Sequence, residues 1–411
     1  MAAVSAVLVL GLALIGCAPE RSVEIDIPPQ ADASLPDATI EQLRGAVENA
    51  MAATGSSGAI VGVWAPWSGS WVTGLGTQKV GGGDEVTADM QFRAGRFARS
   101  MTCDVLYAAA AEGKVELDDP VSDWVASVPL LTDVTLEQLC DGTSGIGSYT
   151  NQLLRTWLVN PDRRWNPREL ASFGLGLPRT GEPGAAYRDS DAGYVLLGLA
   201  LERALQAPAA DLFEEYVAQP LGLDATRLGG FTSENVLEGL HSRTGEGGNL
   251  NCFEPVDITD LSPTTGYTDS GVVSDIDDLA TYAQALATGA LQPQVDDRFA
   301  DPKPPRSGLP SWYTVAGGAV QAGSLIGQFS SVPGYTSAAF ADPATGLTVA
   351  VVLNNSGAGA SFGGYLAWEL AAIASKAPAA AGETAPEAGL PWTAEQYHQT
   401  ISERARCAPA A

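Results

Sequence analysis

Residues 92–121 read Phe92-Arg93-Ala94-Gly95-Arg96-Phe97-Ala98-Arg99-Ser100-Met101-Thr102-Cys103-Asp104-Val105-Leu106-Tyr107-Ala108-Ala109-Ala110-Ala111-Glu112-Gly113-Lys114-Val115-Glu116-Leu117-Asp118-Asp119-Pro120-Val121. The run after Gly95 is rich in helix formers and meets neither Pro nor Gly until Gly113, which predicts a helix ending at Glu112-Gly113. Two basic residues mark its start. Arg96 and Arg99 stand three positions apart, one turn of helix, and so share a face. No lysine occurs in this helix before Lys114 at its far end.

Upstream, the apolar positions between Ala38 and Ala53 fit an amphipathic helix, and Gly58 to Trp64 with Ser70 to Gly74 predict a strand pair joined by a Gly-Ser turn. Downstream, helical patterns dominate residues 97 to 290. After the Pro-rich stretch Asp301 to Pro310, strand patterns return at 312–320, 323–329, 335–342 and 346–354. An apolar helix from Tyr365 to Ser375 closes this unit. A Pro/Ala linker then leads to a short polar helix from Thr393 to about Arg406. Helices are thus inserted within a sheet, and no internal repeat is present.

The chain has 411 residues, enough for two or three domains or one large domain with segregated layers. Its 22 Lys plus Arg against 48 Asp plus Glu give a formal charge of −26, which would repel a phosphate backbone and excludes nucleic-acid binding. With 45% hydrophobic and 17% charged residues the composition is that of a folded protein. There are only four lysines (Lys79, Lys114, Lys303, Lys376) and two histidines (His241, His398), so chemistry that needs either type has few candidates.

Residues 2–16 are uncharged and mostly apolar, about five short of a comfortable membrane span, and read as a signal peptide over 1–16. Small Gly16 before Cys17 fits a lipoprotein cleavage site, so Cys17 is expected to carry lipid. Residues 17–36, rich in Pro and Asp, read as a flexible tether, and the folded part is expected to begin near Asp37. Outside the cytoplasm thiols oxidise. Cys103, Cys140, Cys252 and Cys407 then allow three pairings, of which Cys103 with Cys140 and Cys252 with Cys407 is favoured. The first pair falls in helical segments that should pack together, and the second would pin a loose tail; Cys103 and Cys140 as two buried thiols is the alternative.

Phe92-Arg93-Ala94-Gly95 before such a helix, with Gly113-Lys114 to Pro120-Val121 after it, resembles the serine β-lactamase and penicillin-binding protein superfamily. The likeness is strongest to its class C β-lactamase, DD-peptidase and esterase-like branch. It continues in Val134-Thr135-Leu136-Glu137-Gln138-Leu139 with Gly142-Thr143-Ser144-Gly145, in Gly193-Tyr194-Val195-Leu196-Leu197-Gly198, and in Gln219-Pro220-Leu221-Gly222-Leu223. Gly271-Val272-Val273-Ser274-Asp275 and Val332-Pro333-Gly334-Tyr335 to Leu353-Asn354-Asn355 extend it over residues 37–376. The resemblance implies an α/β (α+β) fold: an antiparallel sheet, from residues 37–95 and 311–376, flanked by helices, with a large helical subdomain inserted at 96–300. Residues 377–411 follow as linker and C-terminal helix.

The catalytic motifs depart from the family. Its Ser-x-x-Lys motif, in which the hydroxyl attacks an acyl carbonyl and the lysine one turn later helps remove its proton, aligns with Arg96-Phe97-Ala98-Arg99. A guanidinium stays protonated and can do neither. The Tyr-x-Asn motif aligns with Asp189-Ser190-Asp191. The third motif, a Lys or His followed two residues later by Gly, aligns with Gln328-Phe329-Ser330, which removes the cationic substrate anchor. Ion pairs of Arg96 or Arg99 with Asp189 or Asp191 are therefore expected to fill the cleft. The pattern implies a lipid-anchored extracytoplasmic pseudoenzyme that binds a peptidoglycan peptide or an envelope protein. The alternative is a divergent hydrolase using Ser100 or Ser190.

No other chemistry is indicated. Gly-x-Ser-x-Gly does not occur, since Gly142-Thr143-Ser144-Gly145-Ile146 lacks the last Gly. His241 and His398 are isolated and are expected to be exposed, too far apart for a metal site. Asp141, Asp189 and Asp191 could approach a hard cation, but carboxylates facing arginines are expected to be neutralised by them. No cofactor or metal is implied. Cys103 reads as a packing or disulfide residue rather than a reactive thiol, and Trp64, Trp67 and Trp71 as core or edge residues of the hairpin.

Overall fold

The computed structural model describes residues 22–245, 249–292, 298–387 and 389–407. The expected signal peptide and Cys17 lie outside them. Among the described residues no helix is long and apolar enough to cross a membrane.

The described residues form thirteen strands: β1 Gly58–Ala65, β2 Gly69–Lys79, β3 Gly82–Glu85, β4 Phe92–Gly95, β5 Arg227–Leu228, β6 Leu240–His241, β7 Val256–Asp257, β8 Val272–Ser274, β9 Tyr313–Ala316, β10 Ala319–Ala322, β11 Leu325–Val332, β12 Tyr335–Ala341 and β13 Thr348–Leu353. Eight make one sheet in the order β3-β2-β1-β13-β12-β11-β10-β9, antiparallel throughout, and β4-β8-β5 make a second. Val61 on β1 lies between Thr73 on β2 and Val351 on β13. Every residue of β12 and β13 is buried. Strands covered on both faces read as continuous apolar runs rather than alternations, and Thr348-Val-Ala-Val-Val-Leu353 is such a run.

One face of the sheet is covered by helices Asp37–Thr54, Ser361–Ala374 and Ala394–Glu403 around Leu43, Val47, Leu366 and Trp368. Helix Ile276–Thr288 covers the other face, and beyond it lies the inserted helical part, whose core contains Phe97, Met101, Leu139, Tyr194 and Leu197. Local signals start these helices. Thr135 and Gln138 form a reciprocal capping box, and Ser190, Asp275 and Thr393 each accept the backbone N–H of the third residue of their helix. The antiparallel sheet flanked by helices is therefore the architecture of the molecule.

Several boundaries differ from the sequence reading. Residues 312–320 are two strands, because Gly317 and Gly318 adopt φ of 56° and 72° and turn the chain between β9 and β10. The helix read as beginning at Tyr365 begins at Ser361. The described part of the expected tether is laid onto the body. Val23 donates to the Pro220 carbonyl, Ala31 to Pro66 and Ser70 to Ala33, and Leu35 is 1% exposed. Alternation explains it: Val23, Ile25 and Ile27 turn inward while Glu24 and Asp26 face water. The C-terminal helix is equally integral, with Trp392, Tyr397 and Ile401 buried against Trp368 and its neighbours. Two disulfides, Cys103–Cys140 and Cys252–Cys407, close segments of 37 and 155 residues.

Candidate functional site

The site lies where β4, the start of helix Phe97–Ala111, the start of helix Asp191–Leu205 and β11 converge. β4 ends in Gly95 with φ of 70°, and a Cβ there would come within 2.2 Å of Ser330 Oγ on β11. Only glycine fits. That close approach lets the Arg96 backbone N–H donate to Ser330 Oγ at 2.9 Å. In acyl transfer a backbone N–H at the nucleophile is a natural partner for the developing oxyanion. Here it is occupied by the chain's own hydroxyl.

Arg99 is 2% exposed, and each of its three nitrogens donates to a carboxylate. Nη1 donates to Asp189 Oδ1 at 2.7 Å, Nη2 to Asp191 Oδ1 at 2.9 Å, and Nε to Asp269 Oδ1 at 2.8 Å. Its guanidinium lies 4.7 Å from the Tyr194 ring centroid. Arg96 is a quarter exposed and reaches Asp189 Oδ2 at 2.9 Å, so Asp189 is held by one arginine on each oxygen. Asp191 turns its other oxygen to the Tyr149 and Thr150 N–H groups at 3.2 and 2.8 Å, anchoring the neighbouring helix start. A planar fork that meets several carboxylates is what arginine provides and lysine does not.

The electrostatics follow from crowding. Burial opposes a charge on Arg99, but Asp189, Asp269 and Asp191 outweigh it and hold the guanidinium well above its usual range. Burial likewise works to raise the Asp189 carboxyl, yet Arg96 and Arg99 pull it below the ordinary carboxylate range. Asp269 lies on the losing side of the balance. Burial pushes it up to about 6 against the pull of Arg99, with Asp191 adding to the rise. Two guanidiniums shared among three carboxylates leave one negative charge in excess, and the buried Asp269, which among the described residues pairs with Arg99 alone, bears it.

The remaining family positions are also internally satisfied. Gln328 Nε2 donates to the Gly318 carbonyl at 2.8 Å, and its Oε1 accepts the Phe329 N–H. Ser100 is fully buried and donates to Gly318 at 2.7 Å. Ser190 is 1% exposed, caps its helix and faces Gly147. Neither serine faces a base. Behind them a second buried pair joins Arg298 to Asp104, with Tyr282 donating to Asp104 at 2.6 Å and Arg298 donating to the Ser100 and Gly317 carbonyls. The Cys103–Cys140 disulfide lies next to Gly318, so the floor of the cleft is covalently closed.

Sequence reasoning brought together Arg96, Arg99, Asp189, Asp191, Gln328 and Ser330, and the structure places all six around one cleft. It missed Asp269 and Asp104–Arg298. Among the described residues no group of three or more His, Cys, Asp or Glu is arranged to hold a metal ion. His241, expected to be exposed, is 8% exposed: it belongs to β6, pairs with Val256 of β7, and its Nδ1 meets Ser356 Oγ at 2.8 Å. Burial and Arg243 lower its pKa. His398 is half exposed and bonds to buried Glu369 at 2.8 Å. Trp67 and Trp71 are buried in the core, and Trp64 packs at its margin.

Comparison with known proteins agrees with the fold. The Beta-lactamase family model matches residues 43–372. A D-stereospecific amidohydrolase from Streptomyces sp. superposes with a TM-score of 0.67 at 24% identity, covering 78% of this chain and 95% of that one. A D-amino acid amidase from Ochrobactrum anthropi SV3 does so with a TM-score of 0.67 at 21% identity, covering 78% and 92%. Among curated proteins, the D-alanyl-D-alanine-carboxypeptidase/endopeptidase AmpH of Escherichia coli K12 is 28% identical over 148 residues, 34% of this chain. The matched part spans 37% of that relative's length.

Proposed function

Given that the chain belongs to the Beta-lactamase family, we propose that it is a pseudoenzyme of the cell envelope: lipid-anchored through Cys17, devoid of acyl-transfer activity, and retaining the cleft to hold a peptidoglycan peptide or an envelope protein. One observation carries the reading. The two positions that need a nucleophile and a base hold Arg96 and Arg99, and Arg99 is locked at 2% exposure onto Asp189, Asp191 and Asp269. Neither guanidinium can attack a carbonyl or accept its proton. Losing the nucleophile and base of a serine hydrolase costs on the order of a million-fold in turnover. The structural neighbours named above are an amidohydrolase and an amidase, and they share this scaffold, which places the proposed departure in the site.

The test is incubation of the chain from residue 18 onward with a fluorescent penicillin and a fluorophosphonate, followed by denaturing gel and intact mass. No adduct is expected with either. An adduct whose peptide map leads to Ser100, Ser190 or another hydroxyl would replace this reading with that of a hydrolase using a different nucleophile. Lipidation is tested separately by the mass of the Cys17 peptide from membranes.

A further inference from the structure

The cleft is not filled by its ion pairs. A cavity of about 160 Å³ remains beside them, with Arg96, Asp141, Tyr187, Asp189, Tyr313 and Phe329 in its walls. At about 30 Å³ per water this is room for about five waters, or for a group of the size of a benzyl amine. Its charge is inverted relative to a site that anchors an anion. Arg96 and Arg99 face Asp141, Asp189, Asp191 and Asp269, formally 2 − 4 = −2. The side chain at the anion-anchoring position, Gln328, is neutral, and both its amide ends are bonded within the protein.

Asp141 is the carboxylate with no arginine of its own. Its Oδ1 accepts the Gly317 N–H at 2.7 Å, and it makes no ion pair with a described residue. A half-buried carboxylate at the wall of a cavity keeps only part of its hydration, and a cation that reaches it supplies the missing partner. The aromatic rings of Tyr187, Tyr313 and Phe329 line the same space, and ring faces attract cations while offering little to anions.

We propose that the cleft binds a small organic ammonium group, with the cation against Asp141 and its carbon skeleton along Tyr313 and Phe329. This rests on the reading that the cleft holds a ligand without turning it over, and it names the chemical class of what enters.

Three probes of equal size decide it: benzylammonium, benzyl alcohol and benzoate, titrated calorimetrically into the chain from residue 18 onward at pH 7.5. Saturable benzylammonium binding is expected, at least about tenfold tighter than benzyl alcohol, a ratio that corresponds to about 1.4 kcal/mol, with benzoate the weakest. Asp141→Asn should bring benzylammonium to the level of the alcohol, while Asp118→Asn, an exposed control elsewhere, leaves it unchanged. If Asp141→Asn does not fold, amide shifts in the wild type serve instead: benzylammonium must move Gly317 and Gly318. Benzoate binding as tightly as the amine, no amine binding at millimolar concentration, or shifts confined to another surface would each overturn the proposal. Failure of the pseudoenzyme reading is a different result, namely a fluorophosphonate adduct.

Discussion

Arg99→Met replaces a buried guanidinium with a side chain of similar length and no charge. Asp269, 2% exposed, then loses its cation, while Asp189 and the buried Asp191 keep only Arg96, at 2.9 and 3.8 Å. Removing one partner of a buried ion pair costs about 3–5 kcal/mol, because the carboxylates left behind are neither solvated nor paired. With an unfolding entropy of about 2.1 cal/mol/K per residue, a chain of 411 residues has about 0.9 kcal/mol/K. The loss therefore reads as a fall in Tm of about 3–6 °C in differential scanning calorimetry at pH 7.5. At pH 5 the orphaned carboxylates can take up protons, so the difference from wild type should shrink. Arg99→Met/Asp269→Leu should recover part of the loss, since it removes one of the uncompensated charges. A single variant that melts within about 1 °C of wild type at pH 7.5, a quarter of the expected shift, would refute the reasoning and make the cluster a surface-like arrangement.

Wild-type stability should itself rise on mild acidification. Asp269 and Asp141 have folded pKa values raised to about 6 from 3.8, so between these values the folded state binds more protons than the unfolded and stability falls as pH rises. Moving from pH 7.5 to 5 should gain about 2–3 kcal/mol from these two carboxyls, offset in part by His241, whose lowered pKa removes stability as the pH falls. Below about pH 4 the depressed Asp189 reverses the trend. A chemical-denaturation series that peaks near neutrality instead would contradict this. Replacing both Cys252 and Cys407 with Ala removes the link that fastens the C-terminal helix and should cost about 2–5 kcal/mol. Limited proteolysis should then cut near residues 381–387, which are exposed in the intact molecule. Retention of Tm and protease resistance would show that Trp392, Tyr397 and Ile401 hold the helix unaided.

Much of this was legible because the scaffold signals are local. Apolar strands, capping residues such as Thr135 and Asp275, and the glycine at 95 each act within a few residues, and so do the paired substitutions at 96/99 and 189/191. What escaped was carried by distance or by small elements. Asp269 stands in the four-residue helix Tyr267–Ser270, 170 positions from Arg99, with no motif around it. Its one signal was arithmetic: the carboxylates around two arginines need not stop at two. Arg298 reaches Asp104 across 194 residues. His241 lies in polar sequence, and only its hydroxyl partner at Ser356 explains its burial. The split of residues 312–320 depended on two adjacent glycines, whose positive φ overrides an unbroken apolar pattern.

The strap of residues 23–35 changes how an anchored form of this protein would occupy space. With Val23 already fastened to Pro220, only five residues, Ala18 to Ser22, separate it from Cys17. At no more than about 3.5 Å per residue the six steps reach about 21 Å, less than the width of about 50 Å expected of a compact domain of this size. A lipid on Cys17 would then act as a mooring rather than a leash. The domain would ride against the bilayer with the Pro220 side toward it, and the cleft could meet only partners that come to that height.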